Sequence, residues 1–295
     1  MKVLVCGARG FIGRHVVAAL ERAGHEVLRG ISARGGAPGR HALQMDFVHD
    51  TDPAIWQARL PGVQAVVNAV GLLRDSARRP MGAVHARVPQ ALFEACAREG
   101  VRRVVQVSAL GIADNPTRYA ATKREADEHL LALAEAGRLE AVVLRPSIVY
   151  GPGGASAALF DALARLPLLV LPRIVLRARV QPLLVHELAE GVARLMGPQR
   201  AWGGLLACVG PRALTLAGFI DSLRRQRGHR AARQIGLPDG LTRLSARLGD
   251  LLPFTPWGSE TLALLAADNT ADPAPFSTLL GRAPTDPDHF VRAFR

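Results

Sequence analysis

Short apolar runs and longer helical patterns alternate through the first half of this 295-residue chain. The apolar runs predict strands at KVLVC, HEVLRGI, HALQMD, AVVNAV, RVVQVSA and EAVVLRPS. Between them, apolar residues recur at helical spacing over residues 11–23, 81–99 and 119–136. Apolar strands separated by helices pair in parallel and are covered on both faces. We therefore predict an α/β fold built on a doubly wound parallel sheet.

The second half of the chain has a looser pattern. GPGGAS predicts a loop, residues 157–165 a helix, and LPLLVLPRIVL (residues 166–176) an apolar segment bounded by prolines. VHELAEGVARLM predicts a helix, GGLLACVG a strand, and the remainder is mostly helical. We predict a dinucleotide-binding domain over residues 1–155, with 178–209 packing back on it. Residues 156–177 and 210–295 are predicted to form a smaller, mostly helical lobe.

Composition narrows the classes of partner. The formal net charge is +12, but the arginines are spread along the chain without interleaved aromatic residues, so no nucleic-acid partner is expected. An anionic membrane surface or an acidic partner remains open. Cys6, Cys96 and Cys208 form no pair motif and predict buried thiols in a reducing compartment. No metal-ligand spacing occurs, and MKVLVCGARG enters a strand directly, so we expect no metal and no leader. The expected location is cytoplasmic, with peripheral association at the inner membrane face as an alternative.

A glycine triplet follows the first predicted strand, in the stretch VLVCGARGFIG. Gly7 permits a tight turn, Gly10 lets the backbone approach a pyrophosphate, and Gly13 lets helix and strand pack closely. The N-terminus of the next helix offers free N–H groups and a positive dipole end to phosphates. Between a strand and a helix at the start of an alternating chain, this triplet predicts a dinucleotide site on a Rossmann-type sheet.

The segment after the second strand bears on which dinucleotide binds. NAD-binding sheets usually place an acid there to hold the ribose hydroxyls, but no Asp or Glu occurs between Glu26 and Asp46. Ser32 and Arg34 follow the strand, and Arg9 lies in the glycine turn. A hydroxyl and guanidinium groups suit a 2′-phosphate, so we predict NADP(H) in preference to NAD(H). The alternative is that these arginines are solvated surface charges. Asp46 is predicted either to accept from the adenine amino group or to cap a turn.

Two scarce residue types occur together in YAATK. The chain has 2 tyrosines, and its lysines are Lys2 and Lys123. Tyr119 and Lys123 lie four positions apart, so on a helix they share a face. The ammonium is expected to lower the phenol pKa from about 10, which would let the phenol exchange a proton with a carbonyl or hydroxyl. Ser108 ends a strand at the carboxyl edge, where ligands of such sheets bind. Tyr119 is predicted as the acid/base, Lys123 as its partner and ribose anchor, and Ser108 as the group that polarises the substrate oxygen.

These motifs resemble the short-chain dehydrogenase/reductase superfamily, on GARGFIG, NAVG, VSAL, YAATK and LRPSIVYGP. VSALGIADNPTRYAATKREAD and QPLLVHELAEGVARL are similar to its atypical, extended branch, which includes the NDUFA9-type accessory subunit of respiratory complex I and bacterial relatives. The resemblance runs to about Val209 and continues more loosely to ADNTAD. It implies a Rossmann fold, a small C-terminal lobe and bound NADP(H) or NAD(H).

The resemblance also implies roles for individual residues. The glycine turn holds the pyrophosphate, Lys123 holds the nicotinamide ribose, and LRPSIVYGP runs beside the nicotinamide. His85, where many catalytic relatives have Asn, is predicted to be a helix residue near the cofactor. The predicted cofactor-binding residues are Gly7, Arg9, Gly10, Phe11, Ile12, Gly13, Ser32, Arg34, Asp46, Asn68, Ala69, Val70, Gly71, Tyr119, Lys123, Pro146 and Ile148.

Three functions remain open at this level. The first is an oxidoreductase acting on a small, apolar carbonyl or hydroxyl substrate, its pocket framed by residues 166–176 and the C-terminal lobe. The second is a structural or assembly protein that binds NADP(H) and docks onto a respiratory or quinone-linked partner. The third is a sugar-nucleotide epimerase or dehydratase, which the missing acid after the second strand and the apolar segment disfavour.

Overall fold

A computed structural model of the protein describes residues 1–32, 39, 41–197, 202–251, 257–266 and 268–294. The strands are β1 Lys2–Cys6, β2 Glu26–Ser32, β3 Ala42–Met45, β4 Ala65–Asn68, β5 Arg103–Val107, β6 Glu140–Pro146, β7 Val149–Tyr150, β8 Leu168–Pro172, β9 Arg179–Val180, β10 Leu183–Leu184, β11 Gly204–Cys208, β12 Leu214–Thr215 and β13 Arg233–Leu237. The helices are α1 Phe11–Arg22, α2 Pro53–Gln57, α3 Val88–Arg98, α4 Arg118–Glu135, α5 Ala155–Arg165, α6 Arg173–Arg177, α7 Val185–Leu195, α8 Leu216–Gln226, α9 Asp239–Asp250, α10 Ser259–Ala266 and α11 Ala274–Leu280.

The main sheet confirms the predicted α/β architecture. Its seven described strands lie in the order β11-β6-β5-β4-β1-β2-β3, and the pairings from β6 through β3 are parallel. The chain moves outward from β1 through β2 to β3 and then returns to the other side of β1 with β4. That reversal leaves a crevice at the carboxyl ends of β1 and β4, where such sheets bind ligands. The register brings Cys6 opposite both Gly30 and Asn68, so the three strands end together at this crevice.

Two compact units divide the chain. The first comprises residues 1–109, 118–145 and 186–206, and the second comprises residues 110–117, 146–185 and 207–295. The predicted domains, 1–155 with 178–209 and 156–177 with 210–295, stay a prediction. Within its described residues, the second unit carries three two-stranded sheets, which pair β7 with β10, β8 with β13 and β9 with β12.

Each unit has its own apolar core. In the first, Trp56 and Phe93 are fully buried, and the Trp56 indole N–H donates to the Asp50 carbonyl at 2.7 Å. Replacing Phe93 with Ala is expected to cost about 3–5 kcal/mol of unfolding free energy, because the lost contacts leave a cavity. In the second, Phe219 and Phe290 pack around Tyr150, whose hydroxyl donates to Asp161 at 2.7 Å.

One predicted helix is interrupted. Residues 81–99 were expected to form a continuous α-helix, but Ala83–Arg87 makes a π-helical turn before α3 begins. Pro89 lacks the N–H that an α-helix would donate to the His85 carbonyl, and the Val88 N–H bonds instead to the Ala83 carbonyl. The interruption lies next to the candidate site described below.

Two further expectations concern membrane-spanning segments and the cysteine thiols. Across the described ranges, no helix combines the length and apolar character needed to span a bilayer. The three cysteines are free and buried, as predicted, and burial raises the pKa of each thiol above its usual value.

Candidate functional site

The glycine turn joins β1 to α1 with geometry that excludes larger residues. Gly7 has a φ of 78°, in the left-handed region that favours glycine. A Cβ on Gly13 would lie 2.1 Å from the Gly7 carbonyl oxygen, far inside contact distance. The Gly7 and Ala8 N–H groups both donate to the Gly30 carbonyl at 3.1 Å, which fixes the turn against the end of β2.

The N-terminus of α1 is open to an anion. Its N-cap is Gly10, which supplies no side-chain acceptor, and the first turn contains no acidic residue. The first N–H groups of a helix have no intrahelical acceptor, and they carry the positive end of the helix dipole. Phe11 and Ile12 are half-buried at this end, and Gly13 is buried against the turn. These features are the ones that a pyrophosphate requires.

A cavity of about 400 Å³ lies over this turn. Its lining residues are Gly7, Arg9, Gly10, Gly30, Ile31, Ser32, Met45, Asp46, Phe47, Val48, His49, Ala69, Val70, Gly71, Arg78, Arg79 and Val84. Three of these side chains are guanidinium groups and one is a carboxylate, so the charge facing the cavity is mainly positive.

Of the residues predicted to discriminate between NADP(H) and NAD(H), the structure describes Arg9 and Ser32. Ser32 ends β2, is exposed and lines the cavity, and Arg9 lines it from the glycine turn. Arg34 lies outside the described residues. Asp46 lines the cavity, and its carboxylate also accepts from the Val48 N–H at 2.8 Å and bonds the His49 ring at 2.9 Å. Burial raises the Asp46 pKa, but these hydrogen bonds outweigh it and the net pKa is lowered.

The loop after β4 forms the opposite wall of the cavity. Asn68 is fully buried: its amide donates to Gln106 at 2.8 Å, and its carbonyl oxygen accepts from the Val70 N–H at 3.1 Å. Asn68 therefore shapes the loop from beneath, whereas Ala69, Val70 and Gly71 line the cavity. A Cβ on Gly7 would meet Val70 at 3.1 Å and Ala69 at 3.2 Å, so the two walls approach closely.

Tyr119 and Lys123 share one face of α4, next to His85. The Tyr119 and His85 rings meet edge to face, with centroids 5.3 Å apart. The buried His85 accepts from the Leu72 N–H at Nε2 (3.0 Å) and bonds Thr122 Oγ1 at Nδ1 (3.2 Å). Burial, aided by the charge of Lys123, lowers the His85 pKa to about 3, so this imidazole is neutral near pH 7. A neutral ring with two fixed partners orients its neighbours and is not available as a base.

The pKa of the Tyr119 phenol is raised, not lowered as expected. Burial raises the Tyr119 pKa to about 12, and the negative charge of Asp127 adds to the increase. Burial also lowers the Lys123 pKa to about 8, against an opposing effect of Asp127. Removal from water is therefore the main cause of both shifts. Near pH 7 the phenol is therefore a proton donor.

Gly71 connects this pair to the cavity. It lines the cavity, and a Cβ placed on it would lie 3.5 Å from Lys123 Nζ and 3.8 Å from His85 Nε2. The Lys123 ammonium is buried and donates to the Val107 carbonyl at 3.1 Å. The bare backbone of Gly71 thus separates the cavity from the buried cation.

A buried carboxylate lies one helical turn beyond Lys123. Asp127 Oδ2 accepts from the Ser108 hydroxyl at 2.8 Å and from the Arg145 guanidinium at 3.0 and 3.2 Å. Burial raises the Asp127 pKa against the opposing hydrogen bonds and charges. In this arrangement Ser108 bonds the carboxylate, so polarising a substrate oxygen would require it to exchange that bond.

The structure brings together most of the predicted residues that it describes in the first unit. Pro146 and Ile148 belong to the second unit and stay predictions. Sequence reasoning missed the lining residues Arg78 and Arg79, and it missed Asp127. Asp127 carried a signal, because Tyr119, Lys123 and Asp127 recur every four residues and so share a helix face.

A dinucleotide fits these residues. A Cβ would fill the cradle at Gly7 and Gly13, the helix N-terminus lacks a competing acid, and cationic side chains face the cavity. Those three observations match the needs of a pyrophosphate with attached riboses.

Comparison with known sequences agrees with this geometry. The sequence model of the NAD dependent epimerase/dehydratase family matches residues 3–177. Ceramide reductase of Caulobacter vibrioides is 27% identical over 190 residues, which cover 63% of this chain and 58% of the reductase. NADH dehydrogenase (ubiquinone) 1 alpha subcomplex subunit 9, mitochondrial, of Rattus norvegicus is 24% identical over 271 residues, covering 87% of this chain and 69% of that subunit. The chain thus spans little more than half of the reductase.

Solved structures share the fold over the whole chain. The human epimerase family protein SDR39U1 with NADPH has a TM-score of 0.76 at 18% identity, and the match covers 100% of this chain and 99% of that one. MoeE5 with UDP-glucuronic acid and NAD has a TM-score of 0.73 at 20% identity, covering 100% and 97%. At these identities the likeness concerns the fold alone.

Proposed function

Because the chain belongs to the NAD dependent epimerase/dehydratase family, we propose that it is an NAD(P)-dependent oxidoreductase that interconverts a carbonyl and a hydroxyl group on an apolar substrate. The observation that carries the proposal is the position of Gly71. It lines the cavity over the glycine turn, and a Cβ placed on it would lie 3.5 Å from Lys123 Nζ, so the Tyr119 and Lys123 pair lies directly behind this part of the cavity wall.

Each group of residues in the site has its own role in the proposed reaction. The glycine turn and the α1 N-terminus hold the pyrophosphate, and the buried Lys123 ammonium anchors a ribose hydroxyl. The nicotinamide supplies or accepts a hydride when it is bound. Tyr119, protonated near pH 7, gives its proton from Oη to the oxygen of a carbonyl substrate. Neutral His85 supports the Tyr119 ring edge, and Ser108 keeps the predicted role at the substrate oxygen.

NADP(H) is the proposed cofactor in preference to NAD(H). No Asp or Glu lies between Glu26 and Asp46 in the sequence, and Ser32 and Arg9 line the cavity. Guanidinium and hydroxyl groups bind a 2′-phosphate, whereas the ribose diol of NAD is usually held by a carboxylate. Arg34, two residues beyond this strand in the sequence, supports the same choice by its charge.

The proposed substrate is apolar. Ceramide reductase, the relative from Caulobacter, is named for a lipid substrate. In the second unit, the segment of residues 166–176 exposes Leu166, Leu168 and Val170 instead of burying them. Exposed aliphatic side chains of this kind suit a long-chain carbonyl compound better than a nucleotide-sugar.

The proposal is tested by NADPH oxidation in the presence of carbonyl compounds. The protein is purified without added nucleotide, titrated with NADPH and NADH, and assayed with a series of aliphatic ketones of increasing chain length. We expect NADPH to bind more tightly than NADH and the rate to rise with chain length. Turnover of UDP-sugars without ketone reduction would contradict the proposed substrate, and failure to bind either dinucleotide would contradict the site itself.

A second candidate is a structural or assembly protein that holds NADP(H) and docks onto a respiratory or quinone-linked partner, at the membrane surface. The similarity to subunit 9 of a mitochondrial NADH dehydrogenase favours it. Heat release of the bound dinucleotide separates the candidates. Near-stoichiometric NADP(H) that resists exchange favours the structural role, and a cofactor that exchanges freely favours turnover.

A further inference from the structure

Helix α9, in the second unit, buries its small and polar residues and exposes its leucines. Its buried positions are Thr242, Ala246 and Gly249. A surface helix ordinarily turns its leucines to the core and its small or polar residues to solvent. A Cβ on Gly249 would lie 2.4 Å from the Trp257 carbonyl oxygen, so the inner face packs too closely at this position for any larger residue.

The outer face of α9 is a stripe of exposed leucines. Leu241, Leu244, Leu248 and Leu251 are 56%, 55%, 55% and 77% exposed. They recur at spacings of three, four and three residues, which places them on one side of the helix over nearly three turns. Leucines scattered singly on a surface need no explanation, but a continuous stripe on one helix marks an interaction site.

Basic side chains flank this stripe. Arg243 and Arg247 are exposed and lie four residues apart, so they share a row of the helix beside the leucines. In the part of the chain that the structure describes, neither guanidinium has a carboxylate partner. The helix's own acids are at its ends: Asp239 is in the first turn, and Asp250 accepts from the Ser259 N–H and hydroxyl. Among the described residues, the flank of the stripe thus carries cationic charge with no carboxylate partner.

We infer that the outer face of α9 docks on the surface of an anionic lipid bilayer. An apolar helical stripe bordered by arginine is the pattern of helices that lie in the membrane interface, where leucines enter the acyl boundary and guanidiniums meet lipid phosphates. The net charge of +12 favours the same partner. Charge complementarity therefore selects a bilayer over a neutral surface. The inference is independent of the proposed oxidoreductase, because α9 contributes no residue to the cavity.

Vesicle flotation tests the inference. The full chain is mixed with vesicles of phosphatidylcholine alone, or of phosphatidylcholine with about one third phosphatidylglycerol. We expect flotation only with the anionic vesicles and its loss at about 0.5 M salt, where surface charges are screened. The double variant Leu244→Ser/Leu248→Ser, and separately Arg243→Glu/Arg247→Glu, should bind at least about tenfold more weakly.

A matched control uses leucines of similar exposure elsewhere. Leu73 and Leu205 are each 52% exposed and belong to the first unit, so Leu73→Ser/Leu205→Ser should float like the unaltered protein. NADPH affinity should be unchanged in every variant. A direct readout is a polarity-sensitive dye on Leu244→Cys, which labels selectively because the native cysteines are buried. Its emission should shift to the blue with anionic vesicles.

Three results would overturn the inference. The first is an absence of flotation with anionic vesicles. The second is an equal loss of binding in the α9 variants and the Leu73→Ser/Leu205→Ser control. The third is a dimer in light scattering that Leu244→Ser/Leu248→Ser dissociates, because a second copy would then occupy the stripe.

Discussion

The Ser108 hydroxyl donates a hydrogen bond of 2.8 Å to the buried carboxylate of Asp127. Arg145 donates to the same oxygen, and Lys123 lies one helical turn away on α4. A carboxylate removed from water is costly unless it is paired and hydrogen-bonded. Ser108 therefore stabilises the buried Asp127 carboxylate, in addition to its predicted role toward the substrate.

Ser108→Ala is expected to lower the free energy of unfolding by about 1–3 kcal/mol, because the buried Asp127 carboxylate loses a hydrogen-bond donor. Chemical denaturation measures the change, with Ser156→Ala on α5 as control, because the Ser156 hydroxyl makes no hydrogen bond to the described residues. Unchanged stability together with a large loss of turnover would assign Ser108 to the substrate alone.

Tyr119→Phe is expected to reduce the rate of ketone reduction by about 10²–10⁴-fold, because the proton donor is removed. NADPH affinity and melting temperature should remain close to those of the unaltered protein, since the ring and its contact with His85 are kept. Titration calorimetry and single-turnover kinetics measure the two properties separately. If the variant only melts earlier and turns over normally, Tyr119 is not the acid.

Lys123 should make stability depend on pH above neutrality. Its pKa is about 8 in the folded protein, against the usual 10.5, so between these values the unfolded chain binds more protons. The free energy of unfolding should then rise with pH, relative to Lys123→Met, by about 2–4 kcal/mol across that window. Denaturation of both proteins at several pH values measures the difference. Lys2→Met, at the other lysine, is the control, and a flat difference for Lys123→Met would contradict the lowered pKa.

Gly13→Ala is expected to abolish dinucleotide binding and to destabilise the fold by several kcal/mol, because the new Cβ would lie 2.1 Å from the Gly7 carbonyl oxygen. Gly240→Ala is the matched control, since a Cβ there meets nothing within 4 Å. That substitution should leave stability equal or up to about 1 kcal/mol higher. Melting curves and NADPH titration compare the pair. Normal NADPH binding by Gly13→Ala would argue against the cradle.

Ser32→Ala combined with Arg34→Ala is expected to weaken NADPH binding by about 10–100-fold and NADH binding by much less. The two side chains are proposed to form hydrogen bonds to the 2′-phosphate, and NADH lacks this group. Arg165→Ala, at an exposed arginine in the second unit, controls for loss of general positive charge. Equal weakening of both dinucleotides would contradict the NADP(H) preference.

The sheet and its glycine turn could be predicted because their signals are local. Each apolar strand is bounded by glycine or by a helical pattern, and the family match confirms the suspected superfamily. The pKa of Tyr119 could not be predicted, because the spacing to Lys123 shows a neighbouring charge but not the burial that dominates it. Arg78 and Arg79 reach the cavity through loop geometry that has no periodic pattern. The exposed stripe of α9 could not be predicted either, because helical periodicity in the sequence does not show which face of a helix packs against the rest of the protein.

The first unit is discontinuous in sequence, and this has a consequence for synthesis on the ribosome. Its last segment, 186–206, contains α7 and the first residues of β11, the strand at the edge of the sheet, and it follows a long segment of the second unit. Domains fold as units while the chain emerges from its N-terminus. The nascent sheet therefore keeps β6 as an unpaired edge until β11, which ends at residue 208, has left the exit tunnel. A fragment that ends before that point retains every glycine of the cradle and lacks a finished domain.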